Sequence, residues 1–323
     1  MDSIQKPLVL ALVGPTGVGK TEVSLAVAEA LDAEVVSMDS MQIYRGLDIG
    51  TAKVDCQTQS RIAHHLIDVA DITESWTVAM YREAAEKAIS QIDERNHIPL
   101  MVGGTGLYLD AIRYQMRYGE IQANAQLRED LHRLAKTEEG IQQLYDLLRE
   151  ASAERANQLH PHDVRRVIRA LEIAHAHGVP LQDQPAPNHP TLVYGLTCER
   201  GLLYERIDKR VDKMIELGLA QEVARLLQTV PIEAWGTASQ AIGYKEWIAA
   251  LQGAYTTDEA IRLIKRNSRR YAKRQLTWFK RSADICWFDV SEYPGTAALS
   301  DAVIASMRKD LHSFSHKQHD IGE

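Results

Sequence analysis

A glycine-rich stretch near the start of the chain has the residue types and spacing of a phosphate-binding loop. Residues 14–21 read GPTGVGKT and fit the pattern G-x-x-x-x-G-K-[ST] between an apolar run and a helix-forming run. Glycines let successive backbone N–H groups point at a phosphate oxygen, and the helix that follows adds the positive end of its dipole. The motif therefore predicts a polyphosphate site of the kind that binds ATP and other nucleotides.

Individual positions in this loop have separate expected roles. Lys20 supplies a full positive charge to the terminal phosphates, and the Thr21 hydroxyl is placed to hold a Mg²⁺ ion. We therefore expect Mg²⁺ as the cofactor, with Thr21 as its protein ligand. The predicted diphosphate- or nucleotide-binding set is Gly14, Pro15, Thr16, Gly17, Val18, Gly19, Lys20 and Thr21.

Asp39 is the second group with expected chemistry. It follows a short apolar stretch, residues 33–38, that predicts a buried strand. Ligands bind beyond the carboxyl ends of parallel strands, so Asp39 should face the same crevice as the loop. An ordinary NTPase has an acid after another buried strand, but here residues 98–102 are followed by GGT. Asp39 could be a general base, a metal ligand or only a turn-stabilising cap.

Positive charge is concentrated in two segments. Residues 262–281 contain nine Lys or Arg and no acidic residue, on a helix that a Thr256-x-x-Glu259 capping box is expected to open. Arg165, Arg166 and Arg169 form a second cluster. Such runs are often solvated helix faces, but like charges one turn apart repel, so a phosphate backbone is the natural counterpart.

The elements that must position these groups alternate as strand, loop and helix up to about residue 115, which predicts a parallel α/β sheet. Residues from about 118 to 178 are helical by period, and strand character returns at 191–196. We therefore expect a P-loop NTPase-like α/β core with C-terminal helices from residues 1–117 and 190–323. A helical insertion domain should occupy residues 118–189.

Composition limits the class of protein. The chain has 323 residues, 45% of them hydrophobic, and a net charge of −7, so nucleic-acid binding would need a local basic patch. No apolar run approaches the length of a membrane span, and the first strand starts too early to leave room for a signal peptide. Three widely spaced cysteines suit a reducing compartment. We expect a cytoplasmic protein with no membrane partner.

Taken together, these stretches resemble the tRNA dimethylallyltransferase family (isopentenyl-diphosphate:tRNA transferases), in the family's order and over nearly the whole chain. The motifs that carry the resemblance are GPTGVGKT at 14–21, DSMQIYR at 39–45, GTAK at 50–53, HHLID at 64–68, GGTGLY at 103–108, HPHDVRRVIRALE at 160–172, RVDKMIELGL at 210–219, SQAIGYKE at 239–246 and RRYAKRQLTWFK at 269–280.

The resemblance implies transfer of a dimethylallyl group from dimethylallyl diphosphate to N6 of the adenosine just 3′ of the anticodon, with release of diphosphate. The partner is then the tRNA anticodon loop, and the enzyme is expected to be a monomer. The catalytic residues it implies are Asp39, Lys20, Thr16 and Arg210. The tRNA-binding residues it implies are Asp39, Ser40, Met41, Gln42, Thr105, Arg128, Arg165, Arg166, Val167, Ile168 and Arg169.

Two other functions stay open on the sequence alone. The same fold could serve a small-molecule kinase, with the helical insertion as a lid over ATP. A nucleotide-gated RNA-binding module is the non-enzymatic alternative, and in it Asp39 would have only a structural role.

Overall fold

Parallel strands form the centre of the computed structural model, which describes residues 6–115, 125–177 and 186–319. Six strands in these residues pair in parallel into one sheet in the order β3-β2-β4-β1-β5-β6. The predicted parallel α/β fold is therefore confirmed. The strands are β1 (Val9–Val13), β2 (Ala33–Met38), β3 (His64–His65), β4 (Ile98–Gly103), β5 (Thr191–Thr197) and β6 (Cys286–Asp289).

Helices connect these strands, and helices outside residues 115–186 cover both faces of the sheet. In chain order they are α1 (Lys20–Leu31), α2 (Cys56–Arg61), α3 (Val78–Glu94), α4 (Gly106–Arg113), α5 (Ala125–Leu134), α6 (Glu138–Ala151), α7 (Ala153–Asn157), α8 (Val164–His177), α9 (Arg200–Glu216), α10 (Leu219–Thr229), α11 (Tyr244–Leu251), α12 (Thr257–Phe279) and α13 (Thr296–His319). None of the helices in the described part of the chain combines the length and apolar content needed to cross a bilayer.

The two faces of the sheet belong to two apolar clusters, because side chains alternate along a strand. In β1, Val9, Ala11 and Val13 lie in one cluster, whereas Leu10 and Leu12 lie in the other. All five side chains are fully buried. This central strand is apolar throughout because helices cover it on both sides.

The chain divides into two units, Met1–Tyr114 with Pro187–Glu323, and Gln115–Ala186. The insertion was predicted over residues 118–189, and its first boundary lies outside the described residues. The second unit has its own apolar cluster, made by α5 to α8, with Leu144, Leu148 and Val167 among its buried members. Its helices therefore pack without a strand in the described residues.

The capping box predicted at Thr256 is half correct. Thr256 Oγ1 accepts a hydrogen bond from Glu259 N at 3.2 Å and so starts α12. The Glu259 carboxylate does not return to the cap among the described contacts, and it pairs with Arg262 at 2.6 Å instead. The competing cation one turn along the helix takes the carboxylate.

Candidate active site

The predicted phosphate loop lies between β1 and α1, and Lys20 is the first residue of that helix. Lys20 Nζ donates hydrogen bonds to the carbonyl oxygens of Gly14 (2.9 Å) and Pro15 (2.8 Å). Burial, and to a lesser extent the charge of Arg210, lowers the pKa of Lys20 to about 7, against the opposing effect of the charge of Asp39. A diphosphate beside the loop would stabilise the charged form of this lysine.

A cleft of about 310 Å³, here called the P-loop cavity, opens beside the loop. Loops after β1, β2 and β4 meet there with one face of α9. The lining residues are Thr16, Gly17, Gly19, Lys20, Thr21, Glu22, Asp39, Gln42, Ala52, Val102, Gly103, Gly104, Arg206, Arg210 and Gln275. The structure therefore brings the sequence-predicted Thr16, Lys20, Thr21, Asp39 and Arg210 into one cavity. Val18 differs, because its side chain is buried in the core and only its backbone can serve the loop.

The two carboxylate oxygens of Asp39 differ in their hydrogen bonding. Asp39 Oδ1 accepts hydrogen bonds from the backbone N–H groups of Met41 (2.8 Å) and Gln42 (3.3 Å), so the turn-capping interpretation is correct for this atom. No described residue donates a hydrogen bond to Oδ2. The turn thereby holds the carboxylate in place while leaving one oxygen able to accept a proton or to bind a cation.

A second cleft of about 350 Å³ lies on the other side of Asp39 and is here called the α9–α12 cavity. Its floor is apolar and comes from Ile207, Val211, Met214, Ala241, Ile242 and Ile264. Its polar lining includes Ser40, Gln240, Lys245, Asn267, Arg270 and Arg274. Thr16, Asp39 and Arg210 line both cavities. These three residues therefore stand at the junction between a phosphate-type site and a partly apolar one.

Arg210 reaches this junction from α9. Its Nη2 donates to the carbonyl oxygen of Thr51 at 3.3 Å. Burial lowers the pKa of Arg210, and the nearby carboxylates of Asp39 and Glu22 oppose that change. One turn earlier, Arg206 donates to the carbonyl oxygen of Val18 at 3.2 Å. Helix α9 thus adds two guanidinium groups to the side of the P-loop cavity.

Gln275 is a site residue that sequence reasoning missed. It lies on α12, is 5% exposed and lines the P-loop cavity. Its Oε1 accepts from Thr16 N at 2.8 Å, and its Nε2 donates to the Gly104 carbonyl oxygen at 3.1 Å. A Cβ at Gly104 would lie 1.9 Å from this Nε2, which explains the glycine. The sequence signal was an uncharged amide within the apolar stripe of a basic helix.

The remaining predicted residues near the turn after β2 use some of their polar groups for hydrogen bonds within the protein. Gln42 accepts from Ser37 Oγ at 3.1 Å and donates to the Thr51 carbonyl oxygen at 3.2 Å. Ser40 and Met41 line the α9–α12 cavity.

Thr105 lies in the loop after β4, directly before α4. Its amide donates to the Met38 carbonyl oxygen at 3.1 Å, and its hydroxyl oxygen is buried. Thr105 lines neither cavity, and its predicted contact with substrate stays a prediction.

The basic run on α12 is less unbalanced than its sequence suggests. Lys265 pairs with Asp212 at 2.6 Å and Arg269 with Asp208 at 2.6 Å, and both acids lie on α9. Arg270 and Arg274 make no salt bridge in the described part of the chain, and both line the α9–α12 cavity. Among the α12 cations without a salt bridge in these residues, Arg270 and Arg274 are the ones that lie at the α9–α12 cavity.

The arginines of the second unit separate into two groups. Arg128 Nε and Arg169 Nη1 contact the buried Glu172 carboxylate at 2.6 and 3.2 Å. Arg165 is exposed, and Arg166 is exposed beside Asp163 at 3.4 Å.

The predicted tRNA contacts at Val167 and Ile168 need correction. Both side chains are buried in the apolar cluster of the second unit, at 0% and 2% exposure. Apolar residues between arginines of an amphipathic helix face the opposite side from those arginines. Their side chains anchor α8 and are not exposed to an RNA, whereas a tRNA contact of the 165–169 segment through its backbone or its arginines stays a prediction.

Comparisons with known proteins show which proteins this chain is similar to. A family model described as IPP transferase matches residues 42–282. The tRNA dimethylallyltransferase of Bacillus licheniformis is 44% identical over 291 residues, which is 88% of this chain and 92% of that protein. The crystal structure of the tRNA isopentenylpyrophosphate transferase of Bacillus halodurans has a TM-score of 0.74 at 42% identity, covering 98% of this chain and 100% of that one. A eukaryotic dimethylallyltransferase acting on tRNA has a TM-score of 0.79 at 28% identity, covering 95% and 80%.

The lowered pKa of Lys20 predicts a pH dependence of anion binding. Above about pH 7 the free protein holds Lys20 neutral, so binding of inorganic diphosphate must be accompanied by proton uptake. The dissociation constant should rise by up to about tenfold per pH unit above that point. Titration calorimetry in buffers of different ionisation enthalpy measures the uptake at pH 8. Lys20→Met is the control, because any proton uptake by diphosphate itself persists in this variant. Equal proton uptake by both proteins would contradict the assignment of the uptake to Lys20.

Removing the amide of Gln275 should loosen the P-loop cavity. Gln275→Leu keeps the volume but leaves Thr16 N and the Gly104 carbonyl unpaired, at about 1–3 kcal/mol for each buried group. We expect the affinity for inorganic diphosphate to fall on the order of tenfold, as measured by calorimetry. Thr277→Leu, at an exposed position of the same helix, should leave it unchanged. Equal affinities for the two variants would remove Gln275 from the site.

Proposed function

Because this chain belongs to the IPP transferase family, we propose that it transfers a dimethylallyl group from dimethylallyl diphosphate to N6 of the adenosine adjacent to the anticodon of tRNA on its 3′ side. The observation that carries the proposal is the junction of Thr16, Asp39 and Arg210 between the two cavities. A diphosphate in the P-loop cavity would place its allylic carbon at this junction, next to a group that can accept a proton.

The leaving group is the first requirement of the reaction. The C1–O bond of dimethylallyl diphosphate breaks, and its electron pair goes to diphosphate while cationic character develops on carbon. Preorganised positive charge beside the departing oxygens stabilises that transition state. Lys20, the loop N–H groups and Arg210 supply the charge here, and the Thr16 hydroxyl lies at the junction.

The acceptor is the second requirement. An exocyclic amine is a weak nucleophile, so a base that takes its proton as the N6–C1 bond forms would assist the reaction. Asp39 is the acid that lines both cavities, and its Oδ2 is the atom not occupied by the turn. The proton from N6 would go to this oxygen.

Mg²⁺ is the proposed cofactor, and the residues present fit it. The Thr21 side chain is exposed at the P-loop cavity, where the carboxylates of Glu22 and Asp39 also lie. Oxygen ligands of this kind, completed by water and phosphate oxygens, suit a hard divalent cation. When bound, the ion would neutralise charge on the diphosphate. Thr21 would be its direct protein ligand.

The α9–α12 cavity suits the other parts of the two substrates. Its apolar floor is suitable for a dimethylallyl group, and Asn267 and Gln240 offer amides to the edge of a base. A loop base must leave its stack to reach such a site, which costs a few kcal/mol. Arg270 and Arg274, together with Arg165 and Arg166 of the second unit, are the proposed contacts to the tRNA backbone.

Further assignments complete the proposal. The active unit is proposed to be a monomer. Cys56, Cys198 and Cys286 form no disulfide, which supports a reducing compartment such as the cytoplasm. The loop would hold diphosphate rather than ATP, so no ATP should be consumed.

Incorporation of label tests the proposed reaction directly. Purified protein with Mg²⁺, labelled dimethylallyl diphosphate and unmodified tRNA should put label into RNA as an N6-substituted adenosine, without ATP. A tRNA with guanosine in place of the target adenosine is the control and should take up no label, because O6 offers no amine. Stoichiometric ATP hydrolysis with a labelled small molecule would favour the kinase. If the protein binds tRNA but neither transfers the label to it nor hydrolyses ATP, the RNA-binding module would be favoured.

Replacing Asp39 by Asn tests the base. The Asn oxygen can still accept the N–H groups of Met41 and Gln42, so the turn is kept while the proton acceptor is lost. The single-turnover rate should fall about 10²–10⁴-fold with tRNA binding unchanged. Asp55→Asn is the matched control, since Asp55 caps α2 in the same way outside both cavities. Recovery of the Asp39→Asn rate at high Mg²⁺ would make Asp39 a metal ligand instead.

A further inference from the structure

Glu222 on α10 is a buried carboxylate that the reaction as described does not use. It is 2% exposed, and in the described part of the chain no Lys, Arg or His forms a salt bridge with it. It accepts backbone hydrogen bonds from three successive residues instead. Asp48 N lies 3.3 Å from Oε2, Ile49 N lies 3.0 Å from Oε2 and 3.1 Å from Oε1, and Gly50 N lies 3.4 Å from Oε1.

Tyr244 on α11 completes this arrangement. Its hydroxyl donates to Glu222 Oε1 at 2.5 Å and accepts from Gly50 N at 3.2 Å. Burial and the charge of Glu222 raise the pKa of Tyr244, which keeps its hydroxyl a neutral donor. A Cβ at Gly50 would lie 2.4 Å from Tyr244 Cε2, so only glycine allows the contact. Two side chains from neighbouring helices therefore fix one short loop.

The opposite side of the same loop faces the reaction. The Thr51 carbonyl oxygen accepts from Arg210 Nη2 at 3.3 Å and from Gln42 Nε2 at 3.2 Å. Gly50 and Thr51 line the α9–α12 cavity, and Ala52 lines the P-loop cavity. The carbonyl that holds Arg210 thus belongs to the residue directly after the three whose amides Glu222 holds.

We propose that Glu222 is a positioning residue for the transfer reaction, holding residues 48–50 so that the Thr51 carbonyl fixes the guanidinium of Arg210 at the junction of the two cavities. The expected effect of Glu222 on the transfer rate rests on the proposed function, whereas its effect on the position of Arg210 does not. An apolar side chain could fill the same space but would leave these three N–H groups without their acceptor. Glu222 acts through Arg210 and touches neither substrate.

The test compares Glu222→Gln with Glu34→Gln. A Gln at 222 directs one NH₂ group at backbone donors and so cannot hold all three amides. Glu34 is also buried (8% exposed) and hydrogen-bonded, to Arg95 and His65, but it lines neither cavity. We expect both variants to lower the melting temperature. Only Glu222→Gln should also lower kcat, by about 10- to 100-fold with the KM for tRNA unchanged, because small misplacements of a catalytic group are costly.

A double-mutant cycle with Arg210→Ala decides whether Glu222 acts through Arg210. If it does, the double variant should be no slower than Arg210→Ala alone. The proposal would be overturned if the losses of kcat in Glu222→Gln and Arg210→Ala multiplied in the double variant. It would also be overturned if Glu34→Gln lost as much kcat as Glu222→Gln. The dissociation constant of inorganic diphosphate is measured for the same four proteins of the cycle, as a second readout that does not need the transfer reaction. If the wild-type protein transferred no dimethylallyl group, the proposed function would fail, whereas the binding cycle would still decide the positioning role.

Discussion

Parallel pairing of β1, β2 and β4 is the constraint on which the candidate site depends. Met38 lies beside Gly103, Gly103 beside Val13, and Val13 beside Gly195, so the strands end at one level of the sheet. The loops that carry Lys20, Asp39 and Gly104 must therefore leave from the same edge. Because side chains of the central strand are buried on both faces, a shift in register would move apolar residues as well as the site.

Helices α9 and α12 close the site at this edge of the sheet. Polar side chains that they contribute are hydrogen-bonded to backbone groups of the protein. Gln275 joins the phosphate loop to the loop after β4, while Arg210 is tied to Thr51. Each of these hydrogen bonds links segments far apart in the chain. The resulting cavities are rigid where charge must be placed, which is the condition for electrostatic stabilisation of a leaving group.

Charge compensation decides which arginines and lysines remain for a ligand. Asp208 and Asp212 of α9 neutralise part of the basic run on α12, and Glu172 occupies Arg128 and Arg169 in the second unit. Arg270 and Arg274 at the α9–α12 cavity have no salt bridge in the described part of the chain, and Arg165 and Arg166 lie on an exposed helix face, Arg166 beside Asp163. An acidic protein can in this way present local positive surfaces.

The sequence by itself determined the parallel α/β fold, the phosphate loop and the crevice position of Asp39, because these depend on local spacing and on the rule that parallel strands end at one edge. It could not determine the partners of the charged residues, the burial of Val167 and Ile168 beside Arg166, or the roles of Gln275 and Glu222. Those depend on contacts between residues that lie up to 259 positions apart, as for Thr16 and Gln275. Spacing along the chain does not identify the partners in such contacts, and only the packing of α9, α10 and α12 at the site, and of α5 to α8 within the second unit, decided them.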